Sequence, residues 1–325
     1  MIRPILLTAS RSRFLARWLP RLPPVRSAMS RFMPGEGMED ALRAARELEE
    51  SGVGAILTHL GEDVARMEEV REVSAEYGRV VEAILTDGPG VELSVKPSQF
   101  GLHMNPEACL RAVLSLARQV EEAGSFLWID MERSSDVEGT LRIYRELLSA
   151  HPCIGVCLQA YLHRTEEDVE GLMAFGMEVG HPPAIRLVKG AYRESPSVAL
   201  TGGGEIDHRF IILAQRIRAE SGKGVRLALG THDESLIRKL AEDEPFSPPG
   251  PQGRAPVEVH MLYGIRTDLQ ARIRSQGIPL RVLISYGTAW YPWFVRRLAE
   301  RPANLRFLLR RSARATSNET GSSGL

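Results

Sequence analysis

The chain has 325 residues, of which 43% are hydrophobic and 25% are charged, and its 41 basic side chains balance its 41 acidic ones. This length can bury one large core, and the balanced charge excludes a general electrostatic attraction to nucleic acid. Its three cysteines, Cys109, Cys153 and Cys157, are an odd number, and two of them lie in a strand-like run, which indicates reduced, buried thiols in a cytoplasmic protein. No apolar run approaches the roughly 18 residues that cross a bilayer.

The two ends of the chain differ from its middle. Residues 1–34 contain seven arginines and no acidic residue, interleaved with Leu, Phe, Trp and Met. A transit peptide, a membrane-surface helix and the first helices of the domain all fit this composition, and we favour the last, a basic N-terminal helical segment. Residues 35–311 are predicted to form the folded domain. Residues 312–325 have almost nothing to bury and are predicted to be disordered.

Eight short runs rich in Val, Ile and Leu, bounded by turn or cap residues, predict β-strands. They cover residues 53–58, 91–96, 125–130, 153–159, 184–189, 226–230, 256–261 and 280–286. Helical periodicity separates them, as in Asn105 to Ala123, where Asn105 can cap the helix and Pro106 suits its first position. The alternation predicts one α/β domain, a (β/α)8 barrel of the TIM type, with extra N-terminal helices and a C-terminal helix over the active site.

Polar side chains stand at or just after the predicted strand ends, where the chemistry of such barrels takes place. Because unpaired polar groups are costly to bury, packing alone does not explain them, and they indicate the active site of an enzyme. The residues concerned are Glu62, Lys96, Asp130, Glu132, Gln159, Tyr161, Arg186, Lys189, Thr231, His232, Glu258, His260 and Tyr286.

A short helix predicted from Trp293 to Glu300 follows the last strand. At 3.6 residues per turn, Arg296, Arg297 and Glu300 share one face with Trp293, so two guanidinium groups stand side by side. Such a pair can bind a carboxylate or a phosphate bidentately. An exposed basic turn with an Arg296 to Glu300 ion pair is the alternative interpretation, and the place of the helix in the chain favours the anion site.

The residues alone leave the chemistry open. Lys96 or Lys189 at a strand end could form a Schiff base, as in an aldolase. Arg186 with the small pair Gly190-Ala191 would instead suit a phosphate or a flavin, since small residues let a cofactor approach the backbone. A metal site is disfavoured because no His-x-His pair follows the first strand. The sequence also has neither a Gly-x-Gly-x-x-Gly turn nor a P-loop.

Several short motifs occur in order along the chain. They are Arg31-Phe-Met-Pro-Gly-Glu36, Leu60-Gly-Glu62, Ser94-Val-Lys96, Ile129-Asp130, Gln159-Ala-Tyr-Leu-His-Arg164, Arg186-Leu-Val-Lys-Gly-Ala-Tyr192, Thr231-His232, Met261-Leu-Tyr-Gly-Ile265 and Tyr291-Pro-Trp-Phe-Val-Arg-Arg297. Together they resemble the monofunctional bacterial proline dehydrogenases. The resemblance implies a barrel flavoenzyme that binds FAD, oxidises L-proline to Δ1-pyrroline-5-carboxylate by hydride transfer from proline C5 to flavin N5, and passes the electrons to a quinone.

The resemblance assigns the catalytic and substrate-binding roles. Arg296 and Arg297 match the pair that grips the substrate carboxylate, Lys96 adds a cation, and Glu300 lies near the substrate ring. Glu62 matches the acid that pairs with an active-site arginine and closes the pocket. The remaining pocket residues are Asp130, Leu262, Tyr263, Leu283 and Trp293.

The resemblance also implies a cofactor site. Arg186 matches the arginine near flavin N5, where a cation stabilises the negative charge that arrives with the hydride. The other residues expected to contact FAD are Asp130, Gln159, Val188, Lys189, Gly190, Ala191, Thr231, His232 and Glu258. No metal is expected.

This chain departs from the family pattern at several positions. Leu283 and Trp293 stand where tyrosines are usual, and His260 stands where glutamine is usual. The first two changes keep alternatives open: a flavoprotein that acts on hydroxyproline or another cyclic imino acid, or a flavin-binding homologue without catalysis. A lysine-dependent aldolase is the third.

The expected partners are a small-molecule substrate, a quinone and a pyrroline-5-carboxylate dehydrogenase that consumes the product, with no nucleic acid. The basic, aromatic N-terminus would suit transient contact with the inner membrane.

Overall fold

The protein, described here from a computed structural model over residues 29–61, 63–87, 90–250 and 253–291, contains a closed barrel of eight parallel strands. In chain order these are β1 Gly54–His59, β2 Glu92–Val95, β3 Leu127–Ile129, β4 Ile154–Gln159, β5 Ala184–Val188, β6 Arg226–Gly230, β7 Val257–Leu262 and β8 Leu280–Tyr286. Each strand pairs with the next, and β1 pairs with β8. The predicted barrel and its eight strands are confirmed, with ends that differ by at most two residues.

The described helices lie around the barrel. They are α1 Met38–Glu50, α2 Met67–Asp87, α3 Pro106–Glu122, α4 Val137–Ala150, α5 Thr165–Glu178, α6 Gly203–Arg218, α7 Glu234–Asp243 and α8 Thr267–Ser275. Helix α1 precedes the first strand and packs against both β1 and β8, so it covers the seam where the barrel closes. No helix in the described part of the chain has the length and apolar character needed to cross a membrane.

Helix α3 shows how the local sequence sets an element. The Asn105 side chain accepts a hydrogen bond of 3.0 Å from the Ala108 backbone N–H, and Pro106 occupies the first helical position. Both features were predicted, because an asparagine cap satisfies an otherwise free N–H and proline has no N–H to lose. Cys109, Val113 and Leu116 form part of the buried face, as the helical period requires.

The side chains of the strands alternate between two packing environments. Leu57 and Leu93 belong to the large core between the strands and the outer helices. Their neighbours in sequence face the barrel axis, where Ile56, Trp128 and Ala228 belong to a small separate cluster. Polar residues therefore share the barrel interior with only a few apolar ones.

The N-terminal segment packs against the end of β7. Gly264 has φ +70°, and a Cβ there would lie 1.4 Å from the Arg31 carbonyl oxygen. Met29 and Met33 are buried. Of the predicted segment 1–34 the structure describes only residues 29–34, and the predicted C-terminal helix and tail lie outside the described residues.

Candidate active site

Two charged residues directly follow neighbouring strands at the carboxyl end of the barrel. Lys96 follows β2 and Asp130 follows β3, and the Lys96 Nζ lies 3.6 Å from Asp130 Oδ2. Both side chains are about one-fifth exposed, at 19% and 18%. The structure therefore brings together two residues that were predicted separately, and it leaves them accessible to a small ligand.

Arg186 extends from β5 toward the same pair. Its Nη1 donates to Asp130 Oδ1 at 2.8 Å and to Ser94 Oγ at 3.0 Å, and its Nε donates to His260 Nδ1 at 3.1 Å. The guanidinium lies over the Trp128 ring, 4.5 Å from the centroid. Arg186 is buried, yet Nη2 has no partner among the described residues. The guanidinium of Arg186 is thus held in place through Nε and Nη1, while its Nη2 donors remain without a partner among the described residues.

Gln159, the last residue of β4, has an acceptor that is unpaired in the described part of the chain, which complements the unpaired donor of Arg186. Its Nε2 donates to the Glu132 backbone oxygen at 3.1 Å, while its buried Oε1 has no partner within the described ranges. The Glu132 carboxylate accepts from Ser98 Oγ at 2.6 Å and from the Ser98 N–H at 2.9 Å, so it ties the loop after β3 to the loop after β2. Gln159 and Arg186 thus present an acceptor and donors on adjacent strands.

The segment after β5 approaches its neighbours closely. Gly190 has φ +119°, and a Cβ there would lie 2.2 Å from the Tyr161 ring. Val188 ends the strand, and Ala191 is exposed. Only glycine fits at residue 190, so the backbone from Val188 to Ala191 can present its own polar groups to a ligand.

Lys189 is held by two carboxylates. Its Nζ lies 2.5 Å from Asp207 Oδ1 and 2.8 Å from Asp233 Oδ2. Burial alone would lower the pKa of Lys189, but hydrogen bonds to these carboxylates outweigh burial and raise it. The pKa of Asp233 falls to about 2 because the Lys189 hydrogen bond and a second one from Ser235 outweigh burial. A charged, paired ammonium is a poor nucleophile, which argues against a Schiff base at Lys189.

The segment after β6 is joined to the end of β7, and the segment after β7 to the middle of β8, by hydrogen bonds to backbone groups. The His232 Nε2 accepts from the Leu262 N–H at 2.9 Å, and the Tyr263 N–H donates to the Leu283 oxygen at 3.0 Å. Thr231 Oγ1 accepts from the Asp233 N–H at 3.1 Å. Four residues with predicted site roles, His232, Leu262, Tyr263 and Leu283, therefore lie next to one another around the carboxyl end of β7.

The expectation that Glu258 ends a strand is wrong. It is the second residue of β7, and four further residues at about 3.3 Å each separate it from the strand end. Its carboxylate contacts Arg226 Nη2 at 2.5 Å and Arg281 Nε at 3.2 Å, near the amino end of the barrel. Burial would raise the pKa of Glu258, but Arg226, His260 and Arg281 lower it well below its usual range. Tyr286 ends β8 but belongs to the core between strands and helices, away from the axis.

Sequence reasoning missed a buried ion cluster around Glu258. Glu92 lies 2.8 Å from Arg226 Nη2 and 3.4 Å from Arg281 Nε, and it accepts from Trp128 Nε1 at 2.7 Å. Glu92, Glu258 and His260 are grouped closely enough to hold a cation, but guanidinium groups already neutralise both carboxylates. The only signal in the sequence was that Glu92, Arg226, Glu258 and Arg281 each begin or nearly begin a strand.

Five predicted site residues lie outside the described residues, namely Glu62, Trp293, Arg296, Arg297 and Glu300. The segment that leads to four of them is described as far as Tyr291. The Trp290 Nε1 donates to Glu36 Oε1 at 2.7 Å, and the Gly287 N–H donates to the Glu36 backbone oxygen at 3.0 Å. Glu36 therefore anchors the point at which the chain leaves β8.

Comparisons with known proteins agree with this architecture. Residues 41–310 match the family described as Proline dehydrogenase. Proline dehydrogenase 1 of Bacillus subtilis (strain 168) is 34% identical over 316 residues, which cover 95% of this chain and 98% of that protein. Proline dehydrogenase of Deinococcus radiodurans is 32% identical over 285 residues, covering 86% and 88% of the two chains.

Among solved structures, proline utilization A (PutA) from Bdellovibrio bacteriovorus, inactivated by N-propargylglycine, superimposes with a TM-score of 0.73 at 23% identity. The match covers 84% of this chain and 32% of that one, so this chain spans about a third of its length. At this identity the likeness establishes the shared barrel fold.

Proposed function

The chain belongs to the proline dehydrogenase family, and on this premise we propose that it oxidises L-proline to Δ1-pyrroline-5-carboxylate with FAD as cofactor. The relatives aligned over nearly their whole length carry the name proline dehydrogenase, so proline is the proposed substrate rather than a hydroxylated analogue.

The observation on which the proposal rests is the hydrogen bonding of Arg186. Asp130, Ser94 and His260 hold its Nη1 and Nε, while its buried Nη2 remains without a partner in the described part of the chain. A buried donor left free in a fixed position is costly unless a ligand completes it. A cation placed this way stabilises negative charge that develops in a transition state.

The described residues fit a flavin. One edge of an isoalloxazine ring alternates nitrogen and oxygen acceptors with an N–H donor, and the site offers free donors on Arg186 beside a free acceptor on Gln159. The Val188 to Ala191 segment, with the close approach at Gly190, suits a cofactor that lies against the backbone. FAD would supply the two-electron redox chemistry.

Further residues around the barrel rim would hold this cofactor. Thr231, His232 and Lys189 lie at the ends of β5 and β6, where a long dinucleotide can extend away from the flavin. Lys189 offers a cation, although it already contacts Asp207 and Asp233. Glu258 lies too deep in the barrel for direct contact with the cofactor; it contacts His260, which in turn contacts Arg186.

The substrate would bind above Lys96, Asp130 and the half-buried Leu283. The α-carboxylate needs cations, which Lys96 supplies together with the predicted pair Arg296 and Arg297. The pyrrolidine ring needs an apolar wall, for which Leu283, Leu262 and Tyr263 are the described candidates and Trp293 the predicted one. Glu300 would lie near the ring, and Glu62 would close the pocket by pairing with an arginine.

Two partners belong to the proposal. The electrons are passed to a quinone, and the basic N-terminal segment contacts the membrane that contains it, with the enzyme otherwise in the cytoplasm. The cyclic imine product hydrolyses to an aldehyde, so a dehydrogenase that consumes it would be useful. A relative that is 28% identical over 185 residues, Bifunctional protein PutA of Escherichia coli, is named as a protein with two functions.

An anaerobic visible spectrum tests the proposal. Purified protein reconstituted with FAD should show a bound flavin that L-proline bleaches, with trans-4-hydroxy-L-proline as the comparison substrate. Bleaching only by the hydroxylated compound would overturn the proposed substrate. Bound flavin that neither compound reduces would overturn the proposed activity, and failure to bind FAD would overturn the cofactor.

A further inference from the structure

We propose that His260 is a positioning residue, a neutral imidazole that ties Arg186 to Glu258 and so fixes the direction of the free Arg186 donors. The inference rests on the proposed function for its catalytic consequence, and on the barrel geometry alone for the contact itself. His260 acts through Arg186 and not by contact with the substrate.

The hydrogen bonds around the imidazole admit one tautomer. Arg186 Nε is always protonated, so His260 Nδ1, which lies 3.1 Å away, must be an unprotonated acceptor. The proton then lies on Nε2, which donates to Glu258 Oε1 at 2.6 Å. Neither contact survives in the other tautomer, since Nδ1–H would face the arginine donor.

The surroundings of His260 keep it neutral. Burial lowers its pKa to about 4, with Arg186 and Arg226 acting in the same direction and Glu258 opposing them. The imidazole and the Trp128 ring also form a T-shaped pair, with centroids 5.2 Å apart and planes at 86°. A protonated imidazole would put a second positive charge against Arg186 and remove the acceptor that holds it.

Glu258 gives the contact its rigidity. Arg226 on β6 and Arg281 on β8 hold the Glu258 carboxylate from both neighbouring strands. Arg186 is therefore held through His260 on the side of the amino end of the barrel and by Asp130 and Ser94 on the side of the carboxyl end. If the hydrogen bond from Arg186 Nε to His260 is removed, the guanidinium can rotate about its Nη1 contacts, and the free Nη2 loses its fixed direction.

Two substitutions separate positioning from packing. His260→Gln keeps an acceptor for Arg186 and a donor for Glu258, whereas His260→Leu keeps the bulk and removes both. His260→Leu should lower kcat with proline about 10- to 100-fold, the usual cost of losing such a supporting contact, with little change in KM. The midpoint potential of the bound flavin should become more negative, and His260→Gln should restore most of both properties.

The control is His208→Leu, an exposed histidine on α6, which should change neither quantity. Equal losses in the Gln and Leu variants would show a packing role only, and an unchanged potential in the Leu variant would overturn the proposal. The potential is measured without proline, so a wrong substrate assignment cannot imitate this result.

Nitrogen-15 NMR of the histidine rings tests the contact in the unmodified protein and does not depend on the Leu variant. The resonance of His260, identified by its absence in His260→Gln, should show the Nε2–H tautomer with no titration between pH 5 and pH 9, with or without FAD. An Nδ1–H tautomer, or titration near pH 6.5, would overturn the proposal even if His260→Leu fails to fold.

Discussion

The two ends of the barrel interior both contain buried charges, but they use them differently. At the amino end, Glu92 and Glu258 are 2% exposed and each is contacted by Arg226 and Arg281. At the carboxyl end, Lys96 and Asp130 are almost one-fifth exposed. Carboxylates and guanidinium groups that neutralise each other hold strands together, whereas charges left accessible can bind a ligand.

Unpaired nitrogen atoms sharpen the contrast. Arg226 also leaves Nε and Nη1 without partners in the described residues, but its guanidinium lies over the rings of Phe126 and Trp128, at 4.6 and 5.1 Å. Arg186 lies over Trp128 as well, yet its neighbours include the accessible Asp130. Similar arginines thus contribute to structure at one end and, under the proposed function, to ligand binding at the other.

The largest expected effect is loss of stability when the amino-end cluster is broken. Glu258→Gln leaves Arg226 and Arg281 with half their counter-charge in a buried site, and removal of one partner from such a pair costs about 3 to 5 kcal/mol. Urea unfolding should show this loss. Glu138→Gln, which removes an exposed partner of Arg164, is the control and should leave the free energy of unfolding unchanged. Equal effects would mean that the cluster does not support the barrel.

Next is loss of chemistry at the carboxyl end. Arg186→Leu should slow flavin reduction by proline about 10²- to 10³-fold, because a preorganised charge-stabilising group is lost. Arg186→Lys, which keeps the positive charge without the planar guanidinium, should reduce the flavin at an intermediate rate. Stopped-flow absorbance measures both rates. A Leu variant as fast as the unmodified enzyme would remove Arg186 from the proposed site.

A smaller effect is expected from the predicted carboxylate site. Arg296→Met should raise the KM for proline about 10- to 100-fold, since a hydrogen bond to a charged group is worth roughly 1.5 to 3 kcal/mol. The flavin should remain bound, because the residue is predicted to contact substrate only. Steady-state kinetics and the flavin to protein absorbance ratio test this together, and parallel loss of flavin would contradict the assignment.

The smallest expected effect is a pH dependence of stability caused by His260, which lies between the two ends of the barrel. The folded pKa of His260 is about 4, below its usual 6.5, so the unfolded chain binds the additional proton. Its contribution to stability is therefore complete above pH 6.5 and is lost as the pH falls toward 4, by on the order of 1 to 3 kcal/mol. Thermal unfolding of the unmodified protein should show a steeper decline across this window than His260→Gln. Identical slopes would show that His260 does not titrate on unfolding.

Much of the carboxyl end could be predicted because strand ends are visible in a sequence. Lys96, Asp130 and Gln159 were expected there, and each lies at or directly after the end of a short apolar run. The partners of Arg186 could not be predicted. Its contacts with Asp130 and His260 join residues 56 and 74 positions apart, and their formation depends on how the strands are staggered around the barrel.

The amino-end cluster shows the same limit more clearly. A glutamate near the start of a strand looks in sequence like any polar boundary residue, and Glu258 was therefore assigned to the wrong end of the barrel. Arg226 and Glu92, which are 134 positions apart, form an ion pair because alternate residues face the axis and closure of the barrel brings β2 near β6. No local pattern carries that information.

The sequence by itself determined the barrel, its eight strands, the order of the motifs and the family, because hydrophobic periodicity, caps and short motifs are local properties. Only the tertiary structure decided which charges neutralise one another and which remain available. That distinction depends on burial and on distances of a few ångströms between residues far apart in the chain. The energy of a charge in a protein depends on those surroundings and not on its neighbours in sequence.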